Sequence, residues 1–399
     1  NLYFLLMRHL KKIVFKPLES GDSIALHGNF LKDAGFSEKA ALFPYPSHSF
    51  PGYRILQEYF YYSEKFLYLD LTGWEKWQNR GNGSTFEICF EFKNLPLTPP
   101  RVTSNSFALF ATPVINLFPH EADPVFVDHQ KEWYYVRPAS ANSDHYQVYC
   151  IDKVSGYVQA GAGERSYQPF DHFNPDAQTA PVYSITHRPS LIKGATDVYL
   201  AVAYPKSAKV LATETLSIEL TCTNGSLPEN LRVGDICIPT GAGPEFVTFS
   251  NIKPVSPAAV QPVGSKFLWR LISHLSLNYL SLASTDNFRA LLDLYAFSES
   301  QNQPLLLANK KRVNGIEHLN DKAADLIFRG MLLRGRDITL KLREDHFASA
   351  GDMFVFGCVL DQFLGGYASI NSCTRLTIDE VLRGEQYLWP ARLGCQPLI

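Results

Sequence analysis

The sequence predicts an α+β protein of more than one domain, β-rich in the middle and mixed α/β toward the C-terminal end. Three observations carry this. The chain has 399 residues, enough for two or three domains at about 100–200 residues each. Between Arg101 and Pro262, short runs of Val, Thr, Tyr and Ile alternate with clusters of Pro, Gly, Asn and Asp, the pattern of strands separated by turns. Beyond Gly264, apolar stripes at helical spacing take over, interrupted by an alternating run. The expected divisions are a mixed α/β region over residues 5–100, a β-rich domain over 101–262, and a C-terminal α+β domain over 263–399. Asn1-Leu2-Tyr3-Phe4 read as the middle of a protease-cleavable tag linker, so residues 1–4 are set aside as a tag remnant.

In the first region, Pro44-Tyr45-Pro46-Ser47-His48-Ser49-Phe50-Pro51-Gly52 favours turns and extended backbone. A helix follows, because Ile55, Tyr59, Tyr62 and Phe66 fall on one helical face. Phe66–Leu71 then alternates as a strand does, and Phe86, Ile88, Phe90 and Phe92 alternate against Glu87, Cys89 and Glu91. In the middle region Glu132–Arg137, His145–Ile151, Pro181–Thr186, Asp197–Tyr204 and Thr215–Thr221 read as strands, and Ala160–Asp176 as a long loop.

In the last region Leu268, Leu271, Ile272, Leu275 and Tyr279 form the stripe of an amphipathic helix. Ser284 or Thr285 caps the next, whose buried face is Phe288, Leu291, Leu292 and Tyr295. Ile338, Leu340 and Leu342 alternate as a strand. Ser349-Ala350-Gly351-Asp352 has capping-box spacing before Met353–Leu364. That helix is apolar nearly all round, so it is buried on every side, by its own domain or by another subunit. Gly357 interrupts it at a cost of roughly 1 kcal/mol relative to Ala, which predicts that a backbone or a ring packs closely against it. The residues expected to support a subunit contact are Phe354, Phe356, Gly357, Leu360 and Phe363, together with Trp389.

Composition narrows the function. Hydrophobic residues make up 46% of the chain and aromatic residues 13%, but only 19% are charged, below the usual quarter or so. Such a chain buries its apolar surface internally or covers part of it with partners. The net charge of -2 argues against a nucleic-acid footprint. No apolar run approaches the ~18–20 residues that span a bilayer. The seven cysteines are scattered and form no Cys-x-x-Cys pair; reduced thiols in a cytosolic protein are the expectation.

The search for chemistry gives little. His120, Glu121 and Asp123, with His129 nearby, are the best metal candidates, but Pro119 and Pro124 forbid the helix on which a zincin spaces its ligands. A turn tied by its own side chains is the favoured reading. Thr240-Gly241-Ala242-Gly243-Pro244 lacks the Gly-Lys-Ser/Thr of a phosphate loop. Asp345 and His346 adjoin after a strand, which suits a solvated loop better than a site. No catalytic residue, cofactor or metal is expected. A β-rich carbohydrate-binding or hydrolytic protein is the alternative; it needs two carboxylates facing across a cleft, and no such pair is nominated. A secreted adhesin module is a further alternative, opposed by the unpaired cysteines.

Several blocks together resemble the TssF (VasA/ImpG) family of type VI secretion baseplate proteins. They are Phe50-Pro51-Gly52-Tyr53-Arg54, Asp70-Leu71-Thr72-Gly73, and Phe118 to Pro124. Further matches are Leu220 to Asn224, Trp269 to Leu282, Gly357 to Leu364, Tyr367 to Ser372, and Arg383-Gly384-Glu385 onward to Trp389-Pro390. Gly365-Gly366 and Cys373 depart from it, and the family's N-terminal region is expected to be missing. The resemblance implies a non-enzymatic wedge subunit without cofactor. Its implied partners are TssG, TssE and TssK around the VgrG spike, with a second TssF copy. The implied location is cytoplasmic, docked at the inner-membrane complex through partners. Thiol titration of the denatured chain should find all seven cysteines reactive without a reductant; paired cysteines would support the secreted alternative.

Overall fold

The computed structural model describes residues 1–45, 50–93, 99–158, 163–170, 180–190, 196–205, 213–239, 246–258, 284–296, 303–328, 330–368 and 372–394, with 268, 269 and 272. The chain forms two compact units, Asn1–Val114 with Arg270–Ser298 and Gln303–Ile399, and Ile115–Trp269 with Glu299–Asn302. The expected first and third regions are therefore one unit, because their helices share one core.

The first unit opens with helix α1 (Leu2–Arg8), which buries Tyr3, Phe4, Leu5 and Leu6. Residues 2–4, set aside above as a tag remnant, are thus part of a helix. Phe4 meets Phe354 edge-on at 5.1 Å and Tyr387 at 5.6 Å, so it belongs to the core. Strands β1 (Leu10–Pro17) and β2 (Ile24–His27) follow, then a short ribbon of β3 (Leu31–Asp33) and β4 (Leu69–Leu71). Between β3 and β4 lies helix α2 (Pro51–Tyr62), started by Pro51 at its first turn.

The strand expected over Phe66–Leu71 is shorter, since Ser63–Leu67 winds as a 3-10 turn. That turn carries Lys65 back to Glu58 of α2, where the two form an ion pair shut off from solvent. The other Glu58 oxygen accepts from the Leu42 and Phe43 amides at 2.7 and 3.2 Å. Strand β5 (Phe86–Phe92) forms as its alternation predicts and pairs antiparallel with β1, giving the order β2-β1-β5. Phe15 of β1 stacks on Trp74 at 4.3 Å.

Among its described residues the second unit is built mainly of strands. Its strands are β6 (Phe118–Glu121), β7 (Val125–Val127), β8 (Tyr134–Tyr135), β9 (Gln147–Val158), β10 (Glu164–Pro169), β11 (Val182–Pro189), β12 (Thr196–Ala203) and β13 (Glu214–Thr223). Their order is β6-β13-β9-β10-β11-β12-β8, with β7 also on β13. The sheet curls until its ends meet: the Asp123 amide donates to the Arg137 carbonyl and the Ala139 amide to that of Glu121, both at 2.8 Å. Val127, Val154, Leu200, Leu216, Ile218 and Cys222 fill the interior.

The expected strands of this region all appear, but the loop expected over Ala160–Asp176 contains β10. Tyr167 is the buried side chain of β10, and its hydroxyl, like that of Tyr204, donates to the buried carboxylate of Glu214. With one apolar residue turned inward, the stretch shows no alternation. Phe118–Pro124 is likewise a short strand and its exit rather than a turn; Pro119 is tolerated because β6 ends the sheet's strand order.

The chain then returns to the first unit. Helices α3 (Thr285–Asp293) and α4 (Gln303–Asn314) lead into β14 (Ile316–Phe328) and β15 (Met331–Leu342). Helix α5 (Ala350–Tyr367) crosses to β16 (Cys373–Glu380), which is parallel to β15; β17 (Gln386–Leu388) and β18 (Arg392–Leu393) both pair with β16. The helix expected over Leu268–Tyr279 lies outside the described residues except at Leu268, Trp269 and Ile272. α3 buries Phe288, Leu291 and Leu292 as its spacing predicts.

Ser349 caps α5, its hydroxyl accepting from the Asp352 amide at 3.3 Å. Asp352 in turn accepts two bonds from Arg312, at 3.1 and 3.0 Å. Met353, Phe354, Val355, Phe356, Val359, Leu360, Phe363 and Leu364 are all buried. At Gly357 an added Cβ would lie 2.5 Å from the Trp389 ring and 2.6 Å from the Ile378 methyl, so a ring does pack against this glycine. Gly357→Leu should lower the melting temperature, costing about 1–3 kcal/mol by overpacking, and Gly357→Ala should also destabilise despite its gain in helix propensity. Thermal denaturation of the two variants checks this.

Candidate interaction surfaces

The six residues expected at a subunit contact are brought together, but inside the first unit. Phe356, Leu360 and Phe363 are fully buried, and Phe354 stacks on Trp389 at 5.6 Å. Trp389, at 8% exposure, is the most open of the five side chains. The all-round apolarity of α5 is thus met by the chain itself: α1 and α2 on one side, β16 and its neighbours on the other.

The polar residues of α5 share this enclosure. Asp361 is buried and accepts from the Arg392 guanidinium. Burial pushes its carboxyl up to about 6, against the pull of Arg392 in the other direction. The Cys358 thiol is likewise pushed up by burial, to about 12.

The metal candidates do not converge. His120 Nε2 lies 2.8 Å from the Ala139 carbonyl oxygen, and its ring stacks on Tyr146 at 4.7 Å. Asp123 faces Arg137 at 3.6 Å, and the His129 ring meets Tyr204 edge-on. Among the described residues no group of three His, Cys, Asp or Glu is placed to hold a metal ion. Asp345 is held by Arg343 and the His346 ring by the Lys311 carbonyl oxygen. Residues 240–244 lie outside the described residues. Cys222 and Cys373 are buried, Cys150 and Cys358 half-buried, and Cys89 and Cys237 exposed; all six are free thiols.

The surface features that stand out are apolar, and sequence periodicity did not nominate them. In the first unit, Phe107, Leu109, Phe110 and Val114 are exposed along a stretch almost without regular structure. Phe110 is fully exposed, at 104%, with its backbone at φ 55°; a bulky residue there costs on the order of 1–3 kcal/mol. In the second unit, Ile238, Phe246 (96% exposed), Val247, Phe249 and Ile252 extend into solvent from irregular backbone. Their only sequence signal is apolar residues without a period of 2 or 3.6, in segments that cannot bury them by forming an element. The second unit also carries a shallow groove of about 480 Å3, lined by Pro124, Val125, Trp133, Tyr135 and Tyr199 with Lys131 and Arg137. The Arg188 guanidinium lies over the Tyr199 and Trp133 rings at 4.7 and 5.6 Å.

A family model described as "Type VI secretion system, TssF" matches residues 1–396. The type VI secretion system component TssF1 of Pseudomonas aeruginosa is 30% identical over 403 residues. The match covers 92% of this chain and 62% of that protein, so the chain spans less than two thirds of this relative's length. Among solved structures, a chain of the TssK-TssF-TssG baseplate subcomplex of the type VI secretion system matches with a TM-score of 0.78 and 25% identity, over 99% of this chain and 72% of that one. A chain of the type VI baseplate complex shares the fold, with a TM-score of 0.54 and 24% identity over 88% of this chain and 60% of that one.

The Asp361 geometry sets a pH dependence. Between the ordinary carboxyl range near pH 4 and about pH 6, the folded chain holds a proton here that the unfolded chain has released. Stability therefore falls as pH rises through this window and is level above it, by up to about 3 kcal/mol for this group. Asp361→Asn should remove that slope, as read by urea denaturation at pH 4.5 and pH 7.

Proposed function

Because the chain belongs to the TssF family of the type VI secretion system, we propose that it is a structural wedge subunit of the secretion baseplate. It holds TssG and TssK in the wedge, and with TssE and a second copy of itself it surrounds the VgrG spike to support sheath and tube assembly. The role is assembly rather than catalysis. It operates in the cytoplasm and reaches the inner-membrane complex through partners; no described helix is long and apolar enough to cross a membrane.

The observation that carries this reading is the set of uncovered apolar side chains on irregular backbone. An isolated protein gains nothing by exposing Phe110 and Phe246, whereas an assembly subunit gains affinity by burying them, since interface energy concentrates in a few aromatic anchors. The match to a subunit solved together with TssK and TssG supports the choice of partners.

Co-expression with TssG and TssK of the same gene cluster tests it. The chain alone should self-associate or aggregate, and in their company it should run as one defined complex. Phe246→Asp should leave the isolated chain's stability within about 0.5 kcal/mol, and Phe110→Asp should not lower it, since Asp tolerates the left-handed backbone better than Phe. At an anchor position each should weaken assembly by ~2 kcal/mol or more, roughly thirtyfold. A monodisperse monomer that ignores both proteins would defeat the reading.

A further inference from the structure

The hairpin of β14 and β15 outruns the sheet it belongs to. β14 pairs with β15 as far as Phe328 opposite Met331, whereas β16 joins β15 only from Gly335 onward. β14 is the end strand of that sheet. In an antiparallel pair the backbone groups of alternate residues face the partner strand and the open side. Here Asn320, Lys322 and Ala324 face β15, while Leu319, Asp321, Ala323 and Asp325 face outward.

The start of this outward edge is already occupied. Arg289 donates to the Ile316 carbonyl oxygen, and the Leu319 amide donates to Thr285 Oγ1 at 3.0 Å. From Asp321 onward, no described residue bonds the outward amides and carbonyls of Asp321, Ala323 and Asp325. The stretch holds no proline, and the one irregularity of the pair lies earlier, between Ile316 and His318, so its backbone remains free to pair. An edge with unpaired amides and carbonyls is a template for another strand, and its charges select which strand.

We propose that Asp321–Asp325 is a docking edge for an extended segment of another baseplate protein, added to β14 as a further strand with a Lys or Arg opposite Asp325. This rests on the assembly role proposed above. The six open backbone groups, along roughly 17 Å of strand, define the occupant as extended backbone. The side chains define its charge: Asp321 is engaged by Arg336, whereas Asp325 is exposed. A second copy of this chain fits poorly. The register that would use all three open residues of both copies sets Asp321 opposite Asp325 at each end, like charges in directly opposed positions.

The test uses two proline variants of the full chain, co-expressed with TssG and TssK. Ala323→Pro removes an outward amide that the β14–β15 ladder does not use, and an edge strand tolerates it. Ala324→Pro removes a ladder amide and is the unfolding control. Ala323→Pro should keep the wild-type melting temperature and lose capture at least tenfold, and Asp325→Lys should weaken capture too. Amide exchange at Ala323 and Asp325 should be fast in the isolated chain and slow in the complex. Wild-type capture by Ala323→Pro, with those amides still fast in the complex, would overturn the proposal. Should Ala323→Pro melt early, the exchange measurement on the wild-type complex decides. Protection of these amides in a dimer of the isolated chain would overturn it in favour of self-pairing. A wild-type chain that captures neither protein would overturn the assembly reading, and this edge with it.

Discussion

The enclosure of α5 is the constraint on which the first unit depends. A helix apolar on every side has no stable place at a surface, so elements must cover it all round. They come from distant parts of the chain: α1 and α2 from the first sixty-odd residues, β16 and β18 from beyond residue 370. Gly357 lets the Trp389 ring and Ile378 reach the helix backbone, and on α2 an added Cβ at Gly52 would run into the Phe50 ring and lie 3.0 Å from that of Phe363. Interiors are close-packed, so these two contacts set how near the layers can approach.

Around this apolar centre, buried charge fixes direction. Lys65 with Glu58, Arg312 with Asp352, and Arg392 with Asp361 tie a turn, a second helix and a strand, respectively, to a helix. Pairs removed from water add little net stability, but leaving one partner alone costs several kcal/mol. Their effect is to disfavour other packings of the same apolar faces. The Glu58 pair is one example: it turns a run that alternates like a strand into a 3-10 turn.

Legibility followed local periodicity. The β5 alternation, the α3 stripe, the cap of α5 and the tight contact at Gly357 could all be read, because each repeats at 2 or 3.6 residues or breaks a repeat for a steric reason. Phe4 could not: four residues give no period, and its partners Phe354 and Tyr387 are some 350 residues away in sequence. β10 escaped because its inward Tyr167 is matched to Glu214 rather than to a stripe of apolar neighbours. The expected contact residues of α5 were chosen correctly for burial, yet periodicity cannot say which chain does the burying. Phe110 and Phe246 had no pattern at all, being the residues no element of this chain absorbs.

The split of the first unit around the second has a consequence during synthesis. α2 ends at Tyr62 and the helix that covers it begins at Ala350. At about 5–20 residues per second the interval lasts roughly 15–60 s. Throughout it Tyr59 lacks the Phe356 ring that packs on it, while the second unit, contiguous from Ile115 to Trp269 apart from a short return, can already close. The nascent chain thus carries a finished β unit behind an unfinished apolar face, a stage suited to chaperone capture. A ribosome stall before α5 would release a species that is folded in its middle and adhesive at its beginning.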